Sequence, residues 1–280
     1  MSSDTRSLSK NFDRGPMREN ATVPVWAFVI PIALVVLAEG ILFFGRPSYA
    51  LPVHLLNLLF CALIPIRHRV TLPLLQPFAL LPLFRLVNLG MPTFFELTVL
   101  FFPFIYLPFL PALVLVARSQ EIPIRTNLKG LLLIPVVVAL AAPIAVAEYA
   151  ILEPESLIPA PTPGWLIAMV LIQVLMVGLV EEILFRGILQ HRFAEYLGRP
   201  GGIALASALF GAMHSIYGSG LEIVYVVFVG AIFGIIYELT DSIGLVSILH
   251  GALNVFLFAL IPIYRPGIVQ EVMDAVLSSL

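Results

Sequence analysis

The sequence predicts an all-α fold, a polytopic transmembrane bundle of about eight or nine helices around a polar cavity, and three observations predict it. Of 280 residues, 60% are hydrophobic and 11% are Asp, Glu, Lys or Arg, against roughly 45–50% and about 25% in soluble domains. The mean hydropathy is +1.04. Apolar stretches close to the ~20 residues a helix needs to cross a bilayer recur along the chain. Together these exclude a soluble globular protein. A net charge of -2 offers no bulk field for nucleic acid. The single cysteine, Cys61, lies in an apolar run and can form neither an internal disulfide nor a thiolate metal site.

Residues 1–22 are polar, of mixed sign and too poor in apolar groups to pack, so a disordered cytoplasmic tail is expected there. Val23 to Phe44 is too long for the apolar part of a signal peptide and reads as a retained first span. Further apolar segments lie near 50–66, 71–92, 95–117, 128–151, 163–186, 201–217, 221–240 and 243–263. Pro52, Pro65, Pro73, Pro77 and Pro82 interrupt the second and third, and one of these is a candidate re-entrant segment. With the N-terminus inside, twelve of the fifteen Lys and Arg residues fall on the cytoplasmic side, leaving Arg46 and Arg265 outside and Arg85 within the third run. This supports a cytoplasmic N-terminus in an integral, multi-pass membrane protein, and a prokaryotic cell membrane is the expected location. An eight-span alternative reverses the C-terminal half unless the missing span follows it.

No internal repeat is evident, but composition divides the chain. Residues 23–160 read as accessory helices poor in ionisable groups, 161–265 as a catalytic core, and 266–280 as a C-terminal tail. An ionisable residue at mid-span costs about 2.5–3.5 kcal/mol, which makes each one a functional candidate. Glu181 and Glu182 end an apolar run, and Glu182 stands four residues before Arg186, so those two share a helical face and leave Glu181 for other work. Two interfacial glutamates capped by an arginine are the plainer alternative. His214 lies in an Ala-rich span, and His250 and Asn254 sit one turn apart on another. Each is individually compatible with helix-packing glue. A shared polar cavity explains the set. Gly230 and Gly234 read as a close-packing motif, and Ser242 as an N-cap for the last span. His54, Glu148, Glu153, Glu155, His191 and Glu222 lie near predicted ends and read as solvated.

Chemically, a partly desolvated carboxylate beside an imidazole can hold and deprotonate a water, and a His–Asn pair one turn apart can donate to an oxyanion. These parts amount to peptide-bond hydrolysis. Glu181-Glu182-x-x-x-Arg186, Phe210-x-x-x-His214 and His250-x-x-x-Asn254, in that order, resemble the three motifs of the CAAX protease and bacteriocin-processing (CPBP) family of intramembrane glutamic endopeptidases. The resemblance covers roughly residues 163–263. It implies that Glu181 and His214 activate the water, that Glu182 and Arg186 support the first carboxylate, and that His250 with Asn254 forms the oxyanion hole. It further implies a helical bundle with a conical cavity open to cytosol and lipid, and a membrane-associated protein or peptide substrate, prenylated as in the type II CAAX prenyl endopeptidases or not. No cofactor is implied.

A zinc protease is the nearest rival, because two histidines and a glutamate are enough for three ligands. It lacks a His-Glu-x-x-His motif. A non-enzymatic immunity or binding protein using the same polar network is the rival from another class.

Overall fold

The computed structural model describes residues 22–90 and 98–278. The tail expected over 1–22 therefore lies outside the described residues apart from Thr22. Helices account for nearly all of the described chain, and no strand occurs among those residues. In order they are α1 (Trp26–Phe43), α2 (Pro47–Arg67), α3 (Arg69–Gly90), α4 (Val99–Ser119), α5 (Leu128–Leu152), α6 (163–197), α7 (199–212), α8 (Gly220–Thr240), α9 (Ile243–Tyr264) and α10 (Ile268–Ser278). Eight helical stretches are long and apolar enough to cross a membrane. One of them, Pro163–Tyr217, has 55 residues, which at 1.5 Å per residue is far longer than a bilayer is thick. It folds back at Gly198, whose φ of +72° is open to glycine and costly to other residues. α6 and α7 are the two arms of that hairpin, and Gly202 packs against the backbone at Gln190 and Ala194. Nine passes result.

Helix ends and turns collect at two poles. At one, the backbone N–H of Ile243 donates to the carbonyl of Arg125, Thr126 bridges to Ser242, and Arg192 reaches Gln120. At the other, Val99 N–H donates to Leu157 and Leu157 N–H to Phe258. α2 and α3, one of which was a candidate re-entrant segment, both run helically without reversal, and the helix of α3 is interrupted at Ala79 between Pro77 and Pro82. Within the stretch read as a C-terminal tail, Ile268–Ser278 form α10. Ser242 caps α9 as expected, its Oγ accepting from Leu245 N–H.

Exposed side chains such as Leu37, Leu55, Leu115, Leu132, Ile167 and Phe228 clothe the outside in hydrocarbon, while α3 and α9 are the most buried spans. One apolar cluster joins α1–α4 to α6, α7 and α8, and a second joins α5 to α8 and α9. The polar residues of the last spans lie between them. Gly230 and Gly234 face Ser207 and Gln190 at distances a side chain would close, so α8 sits tight against the α6–α7 hairpin.

Candidate active site

α6 is not a uniform α-helix around its glutamates. Wide i→i+5 turns span Gln173–Gly178 and Ile183–Gln190 on either side of Leu179–Glu182, a distortion that re-aims side chains and recurs at functional sites. Glycines then set the distance to α9. A Cβ on Gly178 would stand 2.6 Å from the carbonyl oxygen of Ser247, and one on Gly251 2.6 Å from the Cα of Val174. Because neither carries a side chain, the two backbones approach and Glu182 meets His250.

Glu182 is fully buried, and its Oε1 accepts from Arg186 Nη1 at 3.0 Å and lies 2.8 Å from His250 Nδ1. The i,i+4 pairing read from the sequence is thus present. Arg186 also donates to the Gly230 carbonyl at 3.1 Å and stacks 4.4 Å from the centre of the Phe210 ring and 5.3 Å from that of Phe233. A buried guanidinium is satisfied this way by a carboxylate, a carbonyl and two aromatic faces. Glu181 points elsewhere. Its Oε1 accepts from Tyr106 Oη on α4, and its Oε2 lies 4.0 Å from His250 Nε2.

His214 lies past the end of α7, where the chain turns into Ser215–Tyr217. Its Nδ1 is 2.9 Å from the Phe210 carbonyl oxygen. A carbonyl only accepts, so Nδ1 carries the proton and neutral His214 keeps its lone pair on Nε2. Phe210 separates the two imidazoles, with ring centres 4.9 Å from His214 and 5.8 Å from His250. A cavity of about 20 Å³ is lined by His214, His250, Asn254, Phe210, Phe233 and Glu148, among others. That is room for one water. His214, His250 and Asn254 therefore share one space, while Glu181 meets it through His250 rather than lining it. Asn254 Nδ2 donates to Gln173 Oε1 at 3.0 Å, which fixes the amide and leaves its second N–H.

Three features escaped the sequence reading. Tyr106 and Gln173 touch the predicted set from distant positions. Glu148 and Glu222, expected to be solvated, are 6% and 0% exposed, and the two buried carboxyl groups act on one another, with neither Glu222 oxygen receiving a hydrogen bond from a donor among the described residues. They meet because α5 ends where antiparallel α8 begins, so two residues near helix ends in sequence are packed against each other in space. His54, also expected to be solvated, is fully buried beside Glu39. Intramembrane position was the available signal for Glu39 and Arg85, but only Arg85 stood out against its apolar run.

Among the described residues no three His, Cys, Asp or Glu side chains are grouped as a metal ion would need.

Residues 163–256, about a third of the chain, match the family model described as Type II CAAX prenyl endopeptidase Rce1-like. No curated protein and no solved structure matches the chain. The matched segment begins at the first residue of α6 and ends two residues past Asn254, so it contains all three motifs. From α6 to the middle of α9, the chain is similar to the family model of the Rce1-like type II CAAX prenyl endopeptidases.

Proposed function

We propose that the protein is an intramembrane glutamic endopeptidase that hydrolyses peptide bonds of a membrane-associated protein or peptide. Residues 161–265 form its catalytic core and 23–160 its accessory helices, with the N-terminus in the cytoplasm of a prokaryotic cell. The observation that carries the reading is that His214, His250 and Asn254 line a one-water cavity while Glu181 and Glu182 of α6 stand against His250 at its edge, all inside the segment matching the protease family.

In this mechanism His214 Nε2 accepts a hydrogen bond from the water while the Glu181 carboxylate takes its proton. The resulting hydroxide adds to the scissile carbonyl carbon. The carbonyl oxygen becomes an oxyanion, which receives hydrogen bonds from the second N–H of Asn254 and from a protonated His250 Nε2. Each such donor is worth roughly 3–4 kcal/mol in a water-poor site. Collapse breaks the C–N bond, and the proton held by Glu181 passes to the leaving amine. Glu182 and Arg186 hold His250 from behind, and Tyr106 holds Glu181. No cofactor takes part, and the partners are the substrate and the bilayer, with prenylation of the substrate one form it takes.

The test is cleavage of a quenched peptide library by the purified protein in detergent, comparing wild type with folded Glu181→Ala and His214→Ala variants, each with and without chelator. Chelator-insensitive cleavage lost in both variants is expected. Activity that chelator abolishes and zinc restores overturns the glutamic assignment. Absence of cleavage by wild type across lipidated and unmodified peptides favours the binding or immunity reading.

A further inference from the structure

His214 is held in an unusual place for a residue asked to orient a water. It lies in neither neighbouring helix, with φ −94° and ψ 8°, between the end of α7 and a turn closed by Gly218 at φ +65°. Local hydrogen bonds from His214 N–H to Gly211 and from Tyr217 N–H to His214 shape the turn but leave its position relative to α6 and α9 to outside contacts. Those contacts come from the accessory helices. Arg85 on α3 donates through Nη2 to the carbonyl oxygen of Met213, and Ser215 Oγ donates to Glu39 Oε2 on α1 at 2.5 Å. Met213 and Ser215 are the residues on either side of His214.

The two anchors are themselves locked together. Arg85 Nε and Nη2 reach the two oxygens of Glu39 at 2.8 and 2.9 Å, a bidentate pair of which each member is 3% exposed. His54 on α2 lies 3.4 Å from Glu39 Oε1, and Asn88 accepts from Arg85 Nη1 at 3.4 Å. A bidentate carboxylate–guanidinium pair has fixed geometry as well as charge. Helices α1, α2 and α3 thus converge on one ion pair, and both of its members end on the His214 turn. An ion pair serving only to join helices has no need to finish on a backbone carbonyl and a hydroxyl that bracket one histidine.

We propose that Glu39 and Arg85 are positioning residues for His214, by which helices outside the family-matched segment set the register of the water-binding imidazole. The inference rests on the proteolytic reading for its catalytic consequence, but not for the anchoring itself. Two readouts separate these. The first is hydrogen exchange of the 211–219 peptide in the purified full-length protein, which needs no substrate. The second is kcat and KM on a peptide that wild type cleaves and Glu181→Ala does not.

The variant of choice is Glu39→Leu with Arg85→Met, because removing both charges leaves no orphaned buried ion and lets the fold survive. Exchange over 211–219 is expected to rise about tenfold or more while that of α9 stays unchanged, in the manner of local opening. kcat is expected to fall roughly 10- to 100-fold with KM within about twofold, as for a misplaced catalytic group. Glu39→Leu alone should be both unstable and inactive. If the double variant regains activity together with stability, or keeps wild-type exchange over 211–219, the proposal is overturned. Should the double variant fail to fold, Ser215→Ala decides: it cuts one link without exposing a charge, and wild-type exchange and kcat there overturn the proposal equally. A wild type without protease activity defeats the proteolytic reading and leaves the exchange result to decide the anchoring.

Discussion

At the scale of single residues, the site is built from pairs in which one member is committed to holding the other. Glu181 is the clearest case, since its carboxylate is shared between Tyr106 Oη and the approach of His250. Tyr106→Phe keeps the ring against Phe84 and Phe102 and removes only the hydroxyl. A hydrogen bond to a buried charged group is worth about 1.5–3 kcal/mol, so the thermal midpoint should fall measurably, and kcat of the still-folded variant should fall roughly 10- to 100-fold. Steady-state kinetics on a cleaved peptide check this, and an unchanged kcat removes Tyr106 from the mechanism. The carboxylates, histidines and asparagine of the site were legible in the sequence because an ionisable or amide group inside an apolar run is costly and therefore conspicuous. Tyr106 was not, being an ordinary aromatic 75 residues from its partner. Glu148 and Glu222 were misread for a related reason: proximity to a helix end implies water only if nothing packs on that end. Two carboxyl groups in contact are both acceptors until one proton lies between them. Gln at position 222 supplies the missing N–H, so Glu222→Gln should match or exceed wild-type stability at neutral pH. Glu222→Ala, which leaves Glu148 buried without its partner, should lose about 1–3 kcal/mol. Thermal unfolding in detergent distinguishes the pair, and equal losses in both variants contradict the shared proton.

Between elements, the decisive contact is the crossing of α6 and α9 at Gly178 and Gly251. Gly251 lies between His250 and Asn254, so whatever moves the backbone there moves both of the proposed oxyanion donors. A Cβ at this position meets Val174 Cα at 2.6 Å and its backbone nitrogen at 2.8 Å, which are atoms that a rotamer change cannot clear. Gly251→Ala therefore forces the helices apart. Overpacking of this kind costs about 1–3 kcal/mol, and the separation of His250 Nδ1 from Glu182 Oε1, now 2.8 Å, has to widen. Activity should fall further than stability, and the ratio of kcat loss to the drop in thermal midpoint is the measurement. A variant that is destabilised yet fully active shows that the crossing does not set the oxyanion geometry. Helix positions were legible because span length and apolarity are local properties. The wide turns in α6 were not, since they answer to packing against α9 and to no residue of α6 alone.

For the whole molecule, hydropathy marks eight stretches among the described residues as long and apolar enough to cross, and the fold-back at Gly198 divides the longest of them into two arms. What a linear sequence leaves open is which turns share a side. Contacts decide that: the 120–127, 198–199 and 241–242 turns gather at one pole, and the 98–99, 157–162 and 265–267 turns at the other. The first pole carries Arg67, Arg69, Arg118, Arg125, Lys129 and Arg199, and the second Arg46 and Arg265. A cytoplasmic bias of Lys and Arg then orients the bundle. In a Cys61→Ser background, Ser119→Cys and Arg199→Cys should react with a membrane-impermeant maleimide only after permeabilisation. Thr162→Cys and Gly267→Cys should react on intact cells. All four positions are exposed, so labelling reports sidedness rather than burial. Inverting both pairs together would keep the nine-pass path and reverse only its direction. A split within either pair would break the path itself, and with it the placement of α6 and α9 as opposed passes whose crossing brings Glu182 to His250.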